Sequence, residues 1–434
     1  MKIKSYKRAK LMFIAFLAVC VLFFSNDCQL IDVQKTAIIV ALGIDESDGE
    51  LEITAQVAIP QATDTQTSNG DAILTAKGKT LFDALDTIGI TTGWYPKLAF
   101  CNLILFGRSL LSKDFMPIID YMLTSDRFVN SAILAAADGS AKEILSSPTP
   151  LDYVSSFALQ KILVRDIDRA NTVLVTDIRE FSQNARAPSG FSYMPLVKQK
   201  QTEDKPKGDS EDQDQSGQNS SASAEIAPLS AKKPAYKSII ATSGVQGGGA
   251  TGKGGQDDQG SEKTVFDARS SLLFVNGKYA CEISPEQTLF YNALKETVSE
   301  AFIDVSYEKN GIKKDSVVSV VGNEKKLSLK IENGIPSFEA RLKLYCKNEE
   351  VSADPGTGKL AYYEIAPKEC LEALSQKISR TLTDLYTLSA ENGCDVFELK
   401  NRLYRHLPDK YPSLKDRVLN TAKVNFIVDC INKH

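Results

Sequence analysis

The stretch closest to a recognisable chemical motif is Gly247-Gly248-Gly249-Ala250-Thr251-Gly252-Lys253. Its glycines and lysine have the spacing of a phosphate-binding loop, where backbone amides cradle phosphate oxygens and the lysine reaches the terminal phosphates. The next position should carry a hydroxyl to hold Mg²⁺, and here it is Gly254. No strand pattern leads into the loop and no helix pattern follows, so a nucleotide site is not expected.

Other chemistry is equally sparse. The chain has two histidines, His406 and His434. With so few, neither a Ser-His-Asp triad nor a histidine-based metal site is expected, and His406 reads as a surface or structural residue. No Gly-x-Ser-x-Gly elbow occurs. Acidic residues are plentiful, but no pattern singles out a catalytic pair. Beyond Cys20 and Cys28, the cysteines (Cys101, Cys281, Cys346, Cys370, Cys394, Cys430) are widely and irregularly spaced. Without a Cys-x-x-Cys pair, zinc-ribbon and thioredoxin readings have no support. Scattered core thiols are expected instead. Trp94-Tyr95-Pro96 reads either as an aromatic recognition patch or, the favoured reading, as a half-buried loop plug. No catalytic, cofactor-binding or metal-ligating residue is therefore assigned, and no cofactor. A net charge of −4 over 434 residues argues against nucleic acid as a partner.

One cysteine stands apart because of what precedes it. Lys2, Lys4, Lys7, Arg8 and Lys10 form a basic flank, Leu11 to Phe24 is unbroken apolar sequence, and Ser25-Asn26-Asp27 stops it. That is the pattern of an export signal. The apolar run is somewhat shorter than the ~20 residues of a spanning helix. The remainder of the chain is expected outside the cytoplasm, since the basic end stays inside. Cys28 follows at once and is the candidate lipid-attachment residue. An uncleaved helical anchor and a lipid on Cys28 are both compatible with these residues.

The elements that follow are mixed. Thr36 to Ile59 reads as a hairpin with its turn at Asp45–Gly49. Helices are predicted near 80–90 and 113–123, strands near 98–106 and 128–137, and a short helix opening at Ser140. Residues 151–186 read as helical, and 191–197 as a strand. From 199 to 263 the composition turns to Gly, Ser, Gln, Asp and Lys, which cannot bury enough apolar surface to offset ordering entropy. Asn276-Gly277 between two β-rich runs signals a hairpin. A helix is predicted over 285–301, then strands near 315–321, 326–331 and 338–346. A long helix from Pro367 carries Leu371, Leu374, Ile378, Leu382, Leu385 and Leu388 at helical spacing. A final strand is predicted over 421–428.

The predicted class is α+β: several mixed α/β domains with largely antiparallel sheets. The expected organisation is an anchor (1–28), an N-terminal α/β domain (29–150), and a middle segment (151–198) completed by about 264–283. A disordered insertion (199–263) and a C-terminal α/β domain with the long helix (284–434) account for the remainder.

Four segments together resemble the Ger(x)C family, the C subunits of spore-germination nutrient receptors. They are Cys28 followed by the strand ending in Gly43-Ile44-Asp45; Phe106-Gly107-Arg108-Ser109-Leu110-Leu111 with Ile119 to Leu123, Arg127-Phe128 and the helix from Ser140; Leu272 to Lys278; and Gly393-Cys394-Asp395-Val396-Phe397 with Tyr411-Pro412. Where the family has Trp-Asp after its cysteine, this chain has Gln29-Leu30. The resemblance implies a lipoprotein on the outer face of the inner spore membrane. It implies polytopic A- and B-type receptor subunits as partners, a role in nutrient-triggered germination, and no catalytic residues. The competing reading is a solute-binding lipoprotein of a transporter, which would usually show two similar lobes; no repeat relates the two halves here.

Overall fold

The hairpin forms where the alternation places it. Strand β1 (Thr36–Ser47) pairs antiparallel with β2 (Glu50–Ala58) through a turn in which Asp48 and Gly49 both take positive φ. The computed structural model describes residues 35–58, 71–150, 154–164, 172–201, 264–351 and 365–433, with residues 10, 12–17, 19 and 152. Cys28, the phosphate-loop-like stretch and positions 202–263 of the insertion lie outside these residues. Among them, no helix is long and apolar enough to cross a membrane.

The chain continues through β3 (Asp71–Gly78), α1 (Leu81–Thr92), β4 (Tyr95–Lys97), β5 (Leu103–Phe106), α2 (Arg108–Leu111), α3 (Met116–Thr124), β6 (Ile133–Ala137) and α4 (Ala141–Ser146). Then come α5 (Ser155–Leu163), β7 (Thr176–Asp177), α6 (Ile178–Arg186), β8 (Phe191–Gln201), β9 (Thr264–Val275) and β10 (Lys278–Ile283). All ten strands make one sheet, ordered β10-β9-β8-β6-β5-β1-β2-β3, with β4 beside β1 and β7 beside β6. Its centre is parallel: β1 with β5, β5 with β6, and β6 with β8. The hairpins at either side are antiparallel. Helices α1, α2, α3 and α6 bury Leu85, Leu110, Met122 and Phe181 on one face, and α4 and α5 bury Ile144 and Leu159 on the other. The parallel strands are therefore covered on both sides, as their continuous apolar runs require.

The second sheet has four strands in the order β11-β12-β13-β14. Helix α7 (Pro285–Lys295), opened by a capping box between Ser284 and Gln287, leads into it. Strands β11 (Ala301–Lys309), β12 (Ile312–Glu332) and β13 (Ile335–Val351) form an antiparallel meander, and β14 (Lys423–Asn432) adds parallel to β13. Between β13 and β14 run α8 (Lys368–Glu391), α9 (Leu399–His406), α10 (Tyr411–Leu414) and α11 (Val418–Thr421). The α8 stripe is buried at Leu371, Leu374, Ile378, Leu382 and Leu385, with Leu388 partly buried. Ser379 Oγ donates to the Phe426 carbonyl at 2.9 Å, tying the helix across β14.

Two expectations over this half need correction. The helix predicted to reach 301 ends at Lys295, where Glu296 turns extended. Residues 301–309 are instead a strand of strict alternation, with Ala301, Ile303, Val305 and Tyr307 buried. The runs near 315–321 and 326–331 are one strand, because a register shift at Gly322 lets β12 continue past the apparent break. In the first half, Thr176-Asp177 interrupts the helical reading of 151–186, and Asp177 caps α6 through the Glu180 amide at 2.7 Å.

Gln201 and Thr264 are paired across β8 and β9. The segment between them thus leaves and returns at adjacent points, where a short connection closes as readily as a long one. Replacing residues 205–260 by a brief Gly-Ser linker is expected to leave the melting temperature within a few degrees. A large drop would show that the segment packs against the sheets.

Candidate functional site

Two of the segments singled out in the sequence meet at the carboxyl ends of the parallel strands, the edge where open α/β sheets present their functional groups, and the strand that follows a third reaches them with Tyr279 and Glu282. β1 ends in Gly43-Ile44-Asp45. The Asp45 carboxylate is buried and accepts three hydrogen bonds: from Ser140 Oγ at 3.0 Å, the Ala141 amide at 2.9 Å and the Lys142 amide at 3.0 Å. It thereby occupies the amino end of α4, whose first amides have no partner within the helix. Gly107 follows β5 and lies against this carboxylate: a Cβ there would sit 1.8 Å from Asp45 Oδ1. The Gly107 amide donates to the Ile44 carbonyl at 2.9 Å, which fixes the approach.

Arg108 is held next to it, its amide on the Gly139 carbonyl at 2.8 Å. The guanidinium reaches Asp138 at 3.5 Å and Glu282 at 3.4 Å, with Tyr279 5.9 Å away beneath it. Glu282 also receives Lys198 at 2.8 Å, and that bond raises the lysine pKa against the opposing effect of burial. Around this centre lie Lys113 on Glu46 at 2.6 Å and Lys142 on Glu52 at 2.7 Å. The Lys113 bond lowers the Glu46 pKa. About two-fifths of the Arg108 side chain remains exposed. The result is a polar rim of alternating charge on a rigid sheet edge, with Asp45 as its buried pin.

The Asn276-Gly277 turn closes β9 on β10 with both residues at positive φ. It does so under α3: a Cβ on Gly277 would sit 2.3 Å from Met116 Sδ. That hairpin delivers Tyr279 and Glu282 to the rim.

The fourth segment lies elsewhere and joins the two sheets. Asp395 is fully buried, accepting the Leu399 amide at 2.7 Å and the Lys400 amide at 2.8 Å at the start of α9. Burial outweighs these bonds and pushes its pKa up to about 6. Phe397 packs on Phe426 at 5.0 Å and Phe338 at 5.7 Å, and Tyr291 lies 6.1 Å off. Asn401 accepts the Ser189 amide at 2.9 Å, bridging to the start of β8.

Cys101, Cys281, Cys346, Cys370, Cys394 and Cys430 are buried and carry free thiols. Burial raises the thiol of Cys101 to about 12 and those of Cys281 and Cys370 to about 11, leaving them protonated and unreactive at neutral pH. His406 is exposed at the end of α9. Among the described residues, no three His, Cys, Asp or Glu side chains are grouped to hold a metal. Trp94 lies in the loop before β4, Tyr95 and Pro96 belong to that strand, Pro96 is buried beside Ala37, and the Trp94 and Tyr95 side chains are 47% and 39% exposed.

Residues 30–199 match the family model of the spore germination protein N-terminal domain, and residues 270–431 match that of the spore germination B3/GerAC-like C-terminal domain. No curated protein matches the sequence significantly. Among solved structures, the crystal structure of the GerBC protein is similar to this chain with a TM-score of 0.48 at 14% identity, over 91% of this chain and 97% of that one.

Proposed function

This chain belongs to the Ger(x)C family of spore-germination receptor C subunits, and from that membership we propose that it is anchored at a membrane, faces away from the cytoplasm and works by contact with polytopic partner subunits rather than by catalysis. The inner spore membrane is the location this reading assigns, with Cys28 as the candidate attachment residue. The observation that carries the contact reading is the convergence of Asp45, Gly107, Arg108 and Glu282 on one sheet edge. Their bonds spend themselves on holding one another in a fixed, partly exposed relief of charge. Such a surface gives specificity and register to a protein contact. The two sheets, of ten and four strands, are not a pair of like lobes, which favours this reading over a transporter's solute binder.

The test is isolation of the full-length chain from a salt-washed membrane fraction in mild detergent. A hydrophobic anchor resists the salt wash, whereas an electrostatic one is screened. The chain is expected to remain with the membrane and to bring polytopic subunits with it. Recovery as a lone chain would contradict the partner reading, and release by salt would contradict the anchor.

A further inference from the structure

One end of the large sheet has a different chemistry from the charged rim. β1 opens at Thr36, and Thr36 is registered against Tyr95 of β4. Trp94 is 47% exposed, Phe100 53% and Ile90 76%, all within a few residues of that strand. Arg127 lies 5.3 Å from the Phe82 ring and 5.9 Å from the Tyr95 ring, so these two also exposed aromatics join the same patch. Lys35 and Lys97 are exposed beside them. Tyr95, Lys97, Phe100 and Arg127 border one open cleft, in which Asp126 is the one carboxylate among the described lining residues.

We propose that this end of the sheet rests on the lipid surface, with Trp94, Tyr95 and Phe100 at headgroup depth and Lys35, Lys97 and Arg127 toward anionic phosphates. The inference rests on the membrane-anchored reading above and adds the orientation of the domain. Its first support is reach. Cys28 lies eight residues before Thr36, a span of at most roughly 28 Å even when fully extended. The last apolar residue of the anchor, Phe24, lies four residues earlier. Whichever of the two anchors the chain, the end of the domain that carries Thr36 is tethered close to the bilayer. Its second support is composition. Trp and Tyr prefer the membrane interface, where an apolar ring and a polar edge are both satisfied. Basic side chains beside them gain from the negative surface potential of anionic lipid. A soluble surface has no reason to gather four exposed aromatic rings and an isoleucine around one short strand.

Trp94 is the only tryptophan in the chain, so its fluorescence reports on this patch alone. The full-length protein would be reconstituted into vesicles of phosphatidylcholine and phosphatidylglycerol carrying brominated acyl chains, and floated. Bromine is expected to reduce Trp94 emission by about twofold or more, as for a ring at the interface, and acrylamide is expected to reach it less. A Trp94→Phe variant with Tyr404→Trp places the reporter on α9, beside the other sheet, where Tyr404 is 56% exposed. There bromine is expected to have little effect. Protein that floats with Trp94 unquenched, or with equal quenching at both positions, overturns the orientation and leaves the anchor intact. Protein that fails to float overturns both.

Discussion

Gly107→Ala is expected to lower stability by about 2–4 kcal/mol, the sum of overpacking and a damaged helix cap. The added Cβ would fall 1.8 Å from Asp45 Oδ1 and 2.9 Å from its Cγ. Neither can move aside cheaply, because the carboxylate is held by Ser140, Ala141 and Lys142 at once. Either β5 shifts away from β1 or Asp45 gives up the amino end of α4. Both outcomes also displace Arg108, whose amide is fixed on Gly139 at 2.8 Å. Gly89→Ala is the matched control. Gly89 lies inside α1, and a Cβ there meets nothing nearer than 3.6 Å. Relief of backbone entropy should stabilise that variant by about 0.5–1 kcal/mol. Opposite shifts in denaturant midpoint are the expected result. A Gly107→Ala protein that unfolds like the wild type would mean that Asp45 is not pinned as described.

Leu382→Ala is expected to cost about 2–5 kcal/mol, the usual range for truncating a buried leucine. That is a large share of a domain stability of about 5–15 kcal/mol. Leu382 is 1% exposed and sits in the middle of the α8 stripe, in the core shared by the four-stranded sheet and α9. Gln376 is exposed on the opposite side of the helix. Gln376→Ala should therefore change stability by less than about 0.5 kcal/mol, as surface substitutions do. Equal, small effects on unfolding would mean the stripe is not a core face.

What was legible in the sequence was local. The α8 stripe declares its buried side by spacing alone, and Asn276-Gly277 names its own turn type, since both residues must take positive φ. Where sequence reading failed, the information was not local. β11 is obscured because Phe302, an apolar residue on its exposed face, joins Ala301 and Ile303 into a short apolar run next to a helix, and pairing with β12 fixes it as a strand. β12 reads as two runs because Gly322 marks a bulge and not an end. The rim is the same lesson at longer range. Gly-Ile-Asp and Phe-Gly-Arg stand out only through a family resemblance. Nothing in either shows that Asp45 would cap a helix beginning 96 residues later. Nor does it show that Arg108 would face a carboxylate 174 residues away. Those contacts come from the parallel order of β1, β5, β6 and β8, which no pattern in a single segment encodes.

The measurement that bears most directly on the role of this edge is nutrient-triggered germination of spores carrying Arg108→Glu in place of the wild-type chain. Reversing this charge puts a third carboxylate beside Asp138 and Glu282, but at a site exposed enough for the fold to survive, since partly exposed pairs contribute only about 0–1 kcal/mol. The germination response is predicted to be lost, while the chain keeps its level in the membrane fraction and a melting temperature close to that of the wild type. A wild-type response from spores holding normal amounts of the folded Arg108→Glu chain would contradict the account.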